Sequence, residues 1–376
     1  MNPQSKIRVL VVDDSLVVRS VLTDILRADP ATDLAGTASS GENALVKIPQ
    51  LKPDVITLDI EMPGMSGLQT LAQIRKLYPK LPVIMFSTLT EHGAAATLEA
   101  LALGATDYAA KPTSSEGLNS ARAQVQRELI AKITALRGPA IKVPPPAANP
   151  ASRHPIARRI DIVAIGTSTG GPNALGEVIP QFPADFPVPV VIVQHMPPLF
   201  TRLLAKHLTA RSPLAVEEGQ AGAQLVPGHV WIAPGDYHMT VSRDGETFRL
   251  ILNQDKPEHS CRPAVDVLFR SVARTFGPHA LAVVMTGMGS DGALGSKAIH
   301  QAGGEVIVQD QASSVVWGMP GSVVSASLAD HIYSLNTMAA EIVRRVNTRR
   351  PGSTHVTPTR RTPQSKIARQ DSPRVH

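Results

Sequence analysis

Across 376 residues the sequence holds a single cysteine, Cys261, and aromatic residues make up only 3% of it. One cysteine excludes an internal disulfide and fits a reducing compartment. Its default place is that of a small buried apolar residue, with a thiol nucleophile as the alternative. So few rings make any core aliphatic, while a hydrophobic share of 43% is enough for globular domains. No apolar run approaches ~18 residues, so no membrane span is expected. The first six residues are polar and lead into a strand, unlike a signal peptide, so a cytoplasmic location is expected. The histidines lack metal-ligand spacing, which argues against a zinc hydrolase.

The net charge of +6 is unevenly spread. From Arg344 onward nine Lys/Arg face one acid, Asp371, so the rest of the chain is near −2. The basicity belongs to a Pro/Ser/Thr/Arg-rich tail, expected to be disordered and most simply a solvated end. Neither body is basic enough for a nucleic-acid-binding domain, and no helix-turn-helix pattern follows the central Pro-rich stretch.

The stretch Ile160 to Pro172 organises the chain. Apolar, mostly β-branched residues run to Ile165, then three glycines and a proline break the run. Helical spacing resumes at Ala174, which reads as strand, tight turn, helix. Gly166-Thr-Ser168-Thr-Gly170 fits a nucleophile turn, with Ser168 near the free N–H groups of a helix start. A phosphate cradle or a plain tight turn would use the same glycines.

Before it, strands are expected at Ile7 to Val12, Asp33 to Ala38, Val55 to Leu58, Val83 to Phe86 and Asp107 to Ala110. Helical segments alternate with them, which implies a doubly wound five-stranded parallel sheet. Such sheets bind ligands beyond the carboxyl ends of their strands. Asp13, Asp14, Asp59, Ser87 and Lys111 fall at those ends. Three converging carboxylates repel one another unless a cation such as Mg²⁺ joins them, and Ser87 and Lys111 could hold an anion on Asp59. Unrelated solvent-exposed loop acids are the alternative.

Residues 7 to about 125 resemble a bacterial response-regulator receiver domain. The resemblance is carried by Val11-Val12-Asp13-Asp14-Ser15, by Leu58 to Gly67 and by Ala109-Ala110-Lys111-Pro112. It implies phosphorylation of Asp59 by a sensor histidine kinase. It also implies Mg²⁺ held by Asp14, Asp59 and the main-chain carbonyl of Glu61, with Asp13 assisting. Ser87 and Tyr108 match the family's switch pair.

Residues 1–137 are thus expected to form the receiver, 138–156 a Pro-rich linker, 157–348 a catalytic domain and 349–376 the tail. In the second domain, strands are expected at Val188 to Val193, Val230 to Ala233, Ala280 to Met285 and, last, Glu305 to Gln309. Helices are expected at Phe200 to Leu208, Pro263 to Thr275 and Ala293 to Gln301, and Phe248 to Leu252 can pair with Met239 to Ser242. The domain reads as largely parallel α/β with antiparallel pieces inserted.

Three strands then deliver Ser168, His195 and Asp291 to one sheet edge. A serine hydroxyl needs a base to take its proton, and the base needs a carboxylate to fix its tautomer. Gly287 to Gly292 can turn the Met288 N–H toward a developing oxyanion, with Thr169 beside it as support. Taken singly, His195 fits a satisfied loop histidine and Asp291 a cap on the helix that follows it. The order Ser, His, Asp differs from that of the α/β-hydrolases. The strand after the turn ends in Gln194-His195, not in the acid that a dinucleotide fold wants.

Residues from about 157 to 345 resemble the catalytic domain of bacterial chemotaxis protein-glutamate methylesterases. The matching segments are Ile165 to Pro172, Gln194 to Pro197, Arg262 to Phe269, Thr286 to Gly292 and Trp317 to Pro320. The resemblance implies a phosphorylation-gated serine hydrolase that cleaves glutamyl γ-methyl esters on methyl-accepting chemotaxis receptors and deamidates receptor glutamines. It needs no cofactor beyond receiver Mg²⁺, and a monomer is expected. A signalling adaptor without catalysis is the alternative.

Overall fold

The computed structural model describes residues 6–88, 90–111, 118–137 and 159–348. The expected linker and tail lie outside the described residues. The first unit alternates β1 (Ile7–Val12), α1 (Leu16–Ala28), β2 (Thr32–Ala38), α2 (Gly41–Leu51), β3 (Val55–Asp59), α3 (Gly67–Leu77), β4 (Val83–Ser87), α4 (Glu91–Ala102), β5 (Asp107–Ala110) and α5 (Leu118–Leu136). Its strands pair in parallel in the order β2-β1-β3-β4-β5. Helices cover both faces, so β3 and β4 are buried along their whole length. Ser15 caps α1 through Val18 N–H, and Ser66 forms a reciprocal capping box with Gln69 at the start of α3.

The second unit runs β6 (Ile162–Thr167), α6 (Gly171–Val178), β7 (Val190–Gln194), α7 (Pro198–Thr209), β8 (Ala215–Glu218), β9 (His229–Ile232), β10 (His238–Asp244), β11 (Thr247–Asn253), α8 (Val265–Phe276), β12 (Ala280–Val284), α9 (Ala293–Gln301), β13 (Glu305–Gln309), α10 (Met319–Ser325), β14 (His331–Tyr333) and α11 (Leu335–Asn347). A seven-stranded parallel sheet has the order β14-β13-β12-β6-β7-β9-β8, and β10 and β11 form a separate antiparallel pair. The expected pairing holds there, with Met239 opposite Leu252 and Ser242 opposite Arg249.

One expectation is corrected. Glu305–Gln309 is not the last strand, because β14 pairs beside it at the sheet edge. That strand is three residues long, with none of them buried, so its own sequence carries no alternating apolar signal. Its pairing with β13 makes it a strand.

The two units pack through α4 and β5 of the first and α6 and α7 of the second. Tyr108 stacks on Phe200, ring centroids 4.6 Å apart and planes 11° from parallel. Asn173 Nδ2 donates to Ala105 O at 2.9 Å. One apolar cluster crosses the junction, with Leu98 and Leu101 on one side and Leu175 and Leu204 on the other.

Candidate active site

In the second sheet β6 lies between β7 and β12, and all three run in parallel. Register places Thr167 opposite Gln194, so Ser168 and His195 are the next residues off adjacent strand ends. Neighbouring strands lie about 4.8 Å apart, which sets the spacing of the two residues. Polar side chains fasten these ends together. Thr167 Oγ1 donates to Gln194 Oε1 at 2.7 Å, and Gln194 Nε2 donates to Ser168 O at 3.0 Å. From the other side Ser168 N–H donates to Thr286 O at 3.1 Å, and Thr286 Oγ1 to Thr169 O at 2.9 Å.

The turn works because it is glycine-rich where it must be. Gly170 has φ +75°, a left-handed conformation that favours glycine. A Cβ on Gly287 would sit 2.9 Å from Ser168 Cβ, so only a bare backbone can pass there.

His195 Nε2 and Asp291 Oδ2 are 2.8 Å apart, and Asp291 is 1% exposed. The same carboxylate accepts Val265 N–H at 2.7 Å and Asp266 N–H at 2.8 Å, the first two amides of α8. Asp291 therefore caps a helix, but α8 and not the α9 that follows it in sequence. Asp266 answers by accepting Gly295 N–H in the first turn of α9. The two helix starts are cross-capped, and this fixes the carboxylate that faces the imidazole.

Burial pushes the Asp291 carboxyl up, but the bond to His195 and the two amides outweigh it and hold it below its ordinary value. For His195, burial lowers the pKa. Its contacts with Asp291 and Cys261 more than reverse this, and the imidazole is raised to about 9.

Ser168 is half-buried beside this pair, and among the described residues no hydrogen bond joins its Oγ to His195. The nitrogen that could serve it, Nδ1, faces Cys261 Sγ at 3.6 Å. Cys261 thus departs from the default expected of it. It is half-exposed and touches the imidazole instead of filling a core. Composition marked it only as a lone thiol, and nothing local in the sequence ties it to His195.

Met288 lies in the loop beside Ser168, with its side chain 36% exposed. Its backbone N–H has no hydrogen bond among the described residues, as an oxyanion donor requires. Thr169 is buried near Asp107 of the first unit, whose carboxyl burial pushes up against the opposing effects of Lys132, the Tyr108 amide and Thr169.

In the first unit Asp13, Asp14 and Asp59 offer carboxylate oxygens within 4.8 Å of one another. Asp13 and Asp59 are buried. Lys111 Nζ lies 2.8 Å from Asp59 Oδ2 and 3.1 Å from Asp13 Oδ2, so one ammonium pairs with both carboxylates. Burial, then the Asp13 charge, outweigh Lys111 and raise Asp59 to about 6. Two buried carboxylates and an exposed one, with oxygens this close together, fit a hard divalent cation such as Mg²⁺. Glu61 N–H is 3.4 Å from Asp59 Oδ1, which sets the Glu61 main chain beside the cluster. Ser87 Oγ donates to Gly93 O at 3.0 Å, so it is turned toward α4.

Comparison with known proteins gives two family matches, the CheB methylesterase over residues 163–342 and the response regulator receiver domain over residues 9–122. A protein-glutamate methylesterase/protein-glutamine glutaminase of Trichodesmium erythraeum is 48% identical over 91% of this chain and 99% of its own length. The chain belongs to that family. Another member, from Pseudomonas aeruginosa, is 44% identical over 92% of this chain and 99% of its own. Among solved structures, the Thermotoga maritima CheB methylesterase catalytic domain matches 50% of this chain and 99% of its own, at 38% identity and a TM-score of 0.49. As a methylesterase family member the chain couples a receiver fold to a hydrolase fold. No described helix is long and apolar enough to cross a membrane.

Proposed function

We propose that the protein demethylates glutamyl γ-methyl esters on methyl-accepting chemotaxis receptors, with Ser168 as nucleophile, His195 as base and Asp291 as its orienting acid. His195 Nδ1 takes the Ser168 hydroxyl proton as Oγ attacks the ester carbonyl carbon. The Met288 N–H, with Thr169 supporting the turn, stabilises the oxyanion. The tetrahedral species collapses, and methoxide leaves with the proton from His195 as methanol. Water then attacks the acyl-serine, giving a proton to His195; the acyl–Oγ bond breaks, His195 returns the proton to Ser168 Oγ, and the receptor glutamate is freed. A glutamine side chain passes through an equivalent intermediate, with ammonia as the leaving group, which accounts for the paired glutaminase activity.

The observation that carries this reading is the bond between His195 and the buried Asp291, with Ser168 on the neighbouring strand end.

Gating is part of the proposal. Asp59 is the phosphoacceptor for a chemotaxis sensor histidine kinase, and Mg²⁺ at Asp13, Asp14, Asp59 and the Glu61 carbonyl supplies charge neutralisation when bound. Asp13 and Asp59 are already fixed by the fold, and Lys111 holds their charge between metal-binding events. Ser87 and Tyr108 respond to the phosphoryl group, and Tyr108 touches the catalytic unit directly through Phe200. The receiver, residues 1–137, thereby restrains the catalytic domain, residues 157–348, across the linker at 138–156. A cytoplasmic protein, monomeric and with a basic tail at 349–376, completes the reading.

A methanol-release assay on methylated receptors, with and without a small phosphodonor, tests the proposal. Release that rises with phosphodonor and fluorophosphonate labelling confined to Ser168 are the expected results. An adaptor would give neither.

A further inference from the structure

The residues between Glu258 and Arg262 form a short loop that no step of the mechanism uses. His259 and Ser260 both take left-handed backbone conformations, φ 53° and 60°. Two adjacent non-glycine residues in that region persist only where surrounding contacts impose them. The contacts are present on both flanks. Glu258 and Cys261 exchange backbone hydrogen bonds of 3.1 and 2.8 Å. Glu258 is bonded to Arg270 of α8, and Arg262 Nε donates to Asp236 Oδ1 at 3.0 Å.

This backbone points two functional groups, one on either side of Ser260, at the catalytic cluster. His259 Nε2 lies 2.8 Å from Asp266 Oδ2, the acid that caps α9, and 3.9 Å from Asp291 Oδ1. Cys261 Sγ meets His195 Nδ1. The imidazole is held at both nitrogens, by Asp291 on one side and by this loop on the other.

We propose that the Glu258–Arg262 loop is a positioning clamp for the catalytic base. Cys261 is its contact on His195 Nδ1, and His259 is its anchor on Asp266. In the resting enzyme the thiol sets the ring's rotation about its bond to Asp291, and Nδ1 passes to Ser168 as the ester enters. The inference rests on the triad proposed above. The groups that face His195 are Asp291 and Cys261, with Asp266 and His259 behind the carboxylate. Loss of the thiol therefore removes one of the two partners that favour the protonated ring.

The test uses the full chain with Cys261→Ala, Cys261→Ser and His259→Ala. The His195 ring is titrated by NMR, and kcat and KM for methanol release are measured against pH. In C261A the ring should titrate at lower pH than in the parent, and the acid limb of kcat/KM should move the same way. Its plateau kcat should fall roughly tenfold at unchanged KM, within the ~10²-fold that a misplaced group can cost. C261S should restore most of both, and H259A should reproduce the shift in weaker form. A ring titration and acid limb in C261A that coincide with the parent's overturn the clamp. Should C261A fail to fold, Cys261→Val, which fills the space with no hydrogen-bonding atom, carries the same measurement. If the parent releases no methanol, the hydrolase reading fails, while the NMR titration still decides the role of Cys261.

Discussion

Asp291 carries two burdens that a single substitution can separate. Both of its oxygens accept hydrogen bonds, from His195 and from the first amides of α8. An asparagine there offers one acceptor and turns an NH₂ group toward donors. Asp291→Asn should lower kcat by a factor on the order of 10⁴ through the wrong imidazole tautomer. It should also cost about 1–3 kcal/mol of stability from unsatisfied buried amides, read as a lower melting temperature. A D291N variant with lost activity and an unshifted melt would separate catalysis from capping and show that α8 does not depend on this acid.

His195 gives a pH prediction of definite sign. The base must be neutral to take the serine proton, and its pKa is raised to about 9. The acid limb of kcat/KM should then lie well above the ordinary histidine value of 6.5, with activity climbing about tenfold per pH unit below it. A limb levelling off just above pH 6.5 would mean that the Asp291 and Cys261 contacts do not favour the imidazolium in solution. At this scale the strand-end positions of Ser168 and His195 were legible because apolar strands lead into them, and Asp291 because it lies in the loop after a third. Cys261 and His259 were not, since their relevance depends on left-handed backbone that no residue type there announces.

At the scale of elements, the apolar runs that became β3, β6, β7 and β12 are buried on both faces, and so is β1 except at Arg8, so their composition alone identified them. Helix starts are marked locally where a hydroxyl caps them, as at Ser15 and Ser66. The edge strand β14 and the short α10 were not. Three half-exposed residues carry no periodicity, and α10 begins Met-Pro-Gly, a poor intrinsic helix former. Packing decides both. The junction of α4 with α6 and α7 was equally hidden, because it joins distant stretches: Asn173 and Ala105, bonded across it, are 68 residues apart. Asn173→Ala removes a hydrogen bond across that junction, worth about 0.5–1.5 kcal/mol. Basal methanol release without phosphodonor should rise by up to about tenfold, with the phosphodonor-stimulated rate unchanged. Equal basal rates would place the restraint elsewhere on the interface.

For the whole molecule, the arrangement joins a charge change at Asp59 to a packing change more than a strand away. Lys111 is drawn to Asp59 and Asp13, Ser87 is turned to α4, and Tyr108, on the strand beside it, leans on Phe200. A phosphoryl group with Mg²⁺ would compete for Lys111 and Ser87 and disturb β5 where it touches α7. A ligand shifts such an equilibrium only by its differential affinity for the two states. The receiver's docked face should therefore lose protection when the phosphoryl group arrives. Amide exchange in α4 (Glu91–Ala102) and α7 (Pro198–Thr209) should accelerate in the presence of Mg²⁺ and phosphodonor, together with methanol release. Asp59→Asn should abolish both responses, whereas Mg²⁺ alone should raise the melting temperature of the parent by relieving the repulsion among Asp13, Asp14 and Asp59. Faster release with unchanged exchange in α4 and α7 would rule out undocking as the gate, because the Tyr108–Phe200 stack and the Asn173–Ala105 bond would then persist in the active enzyme.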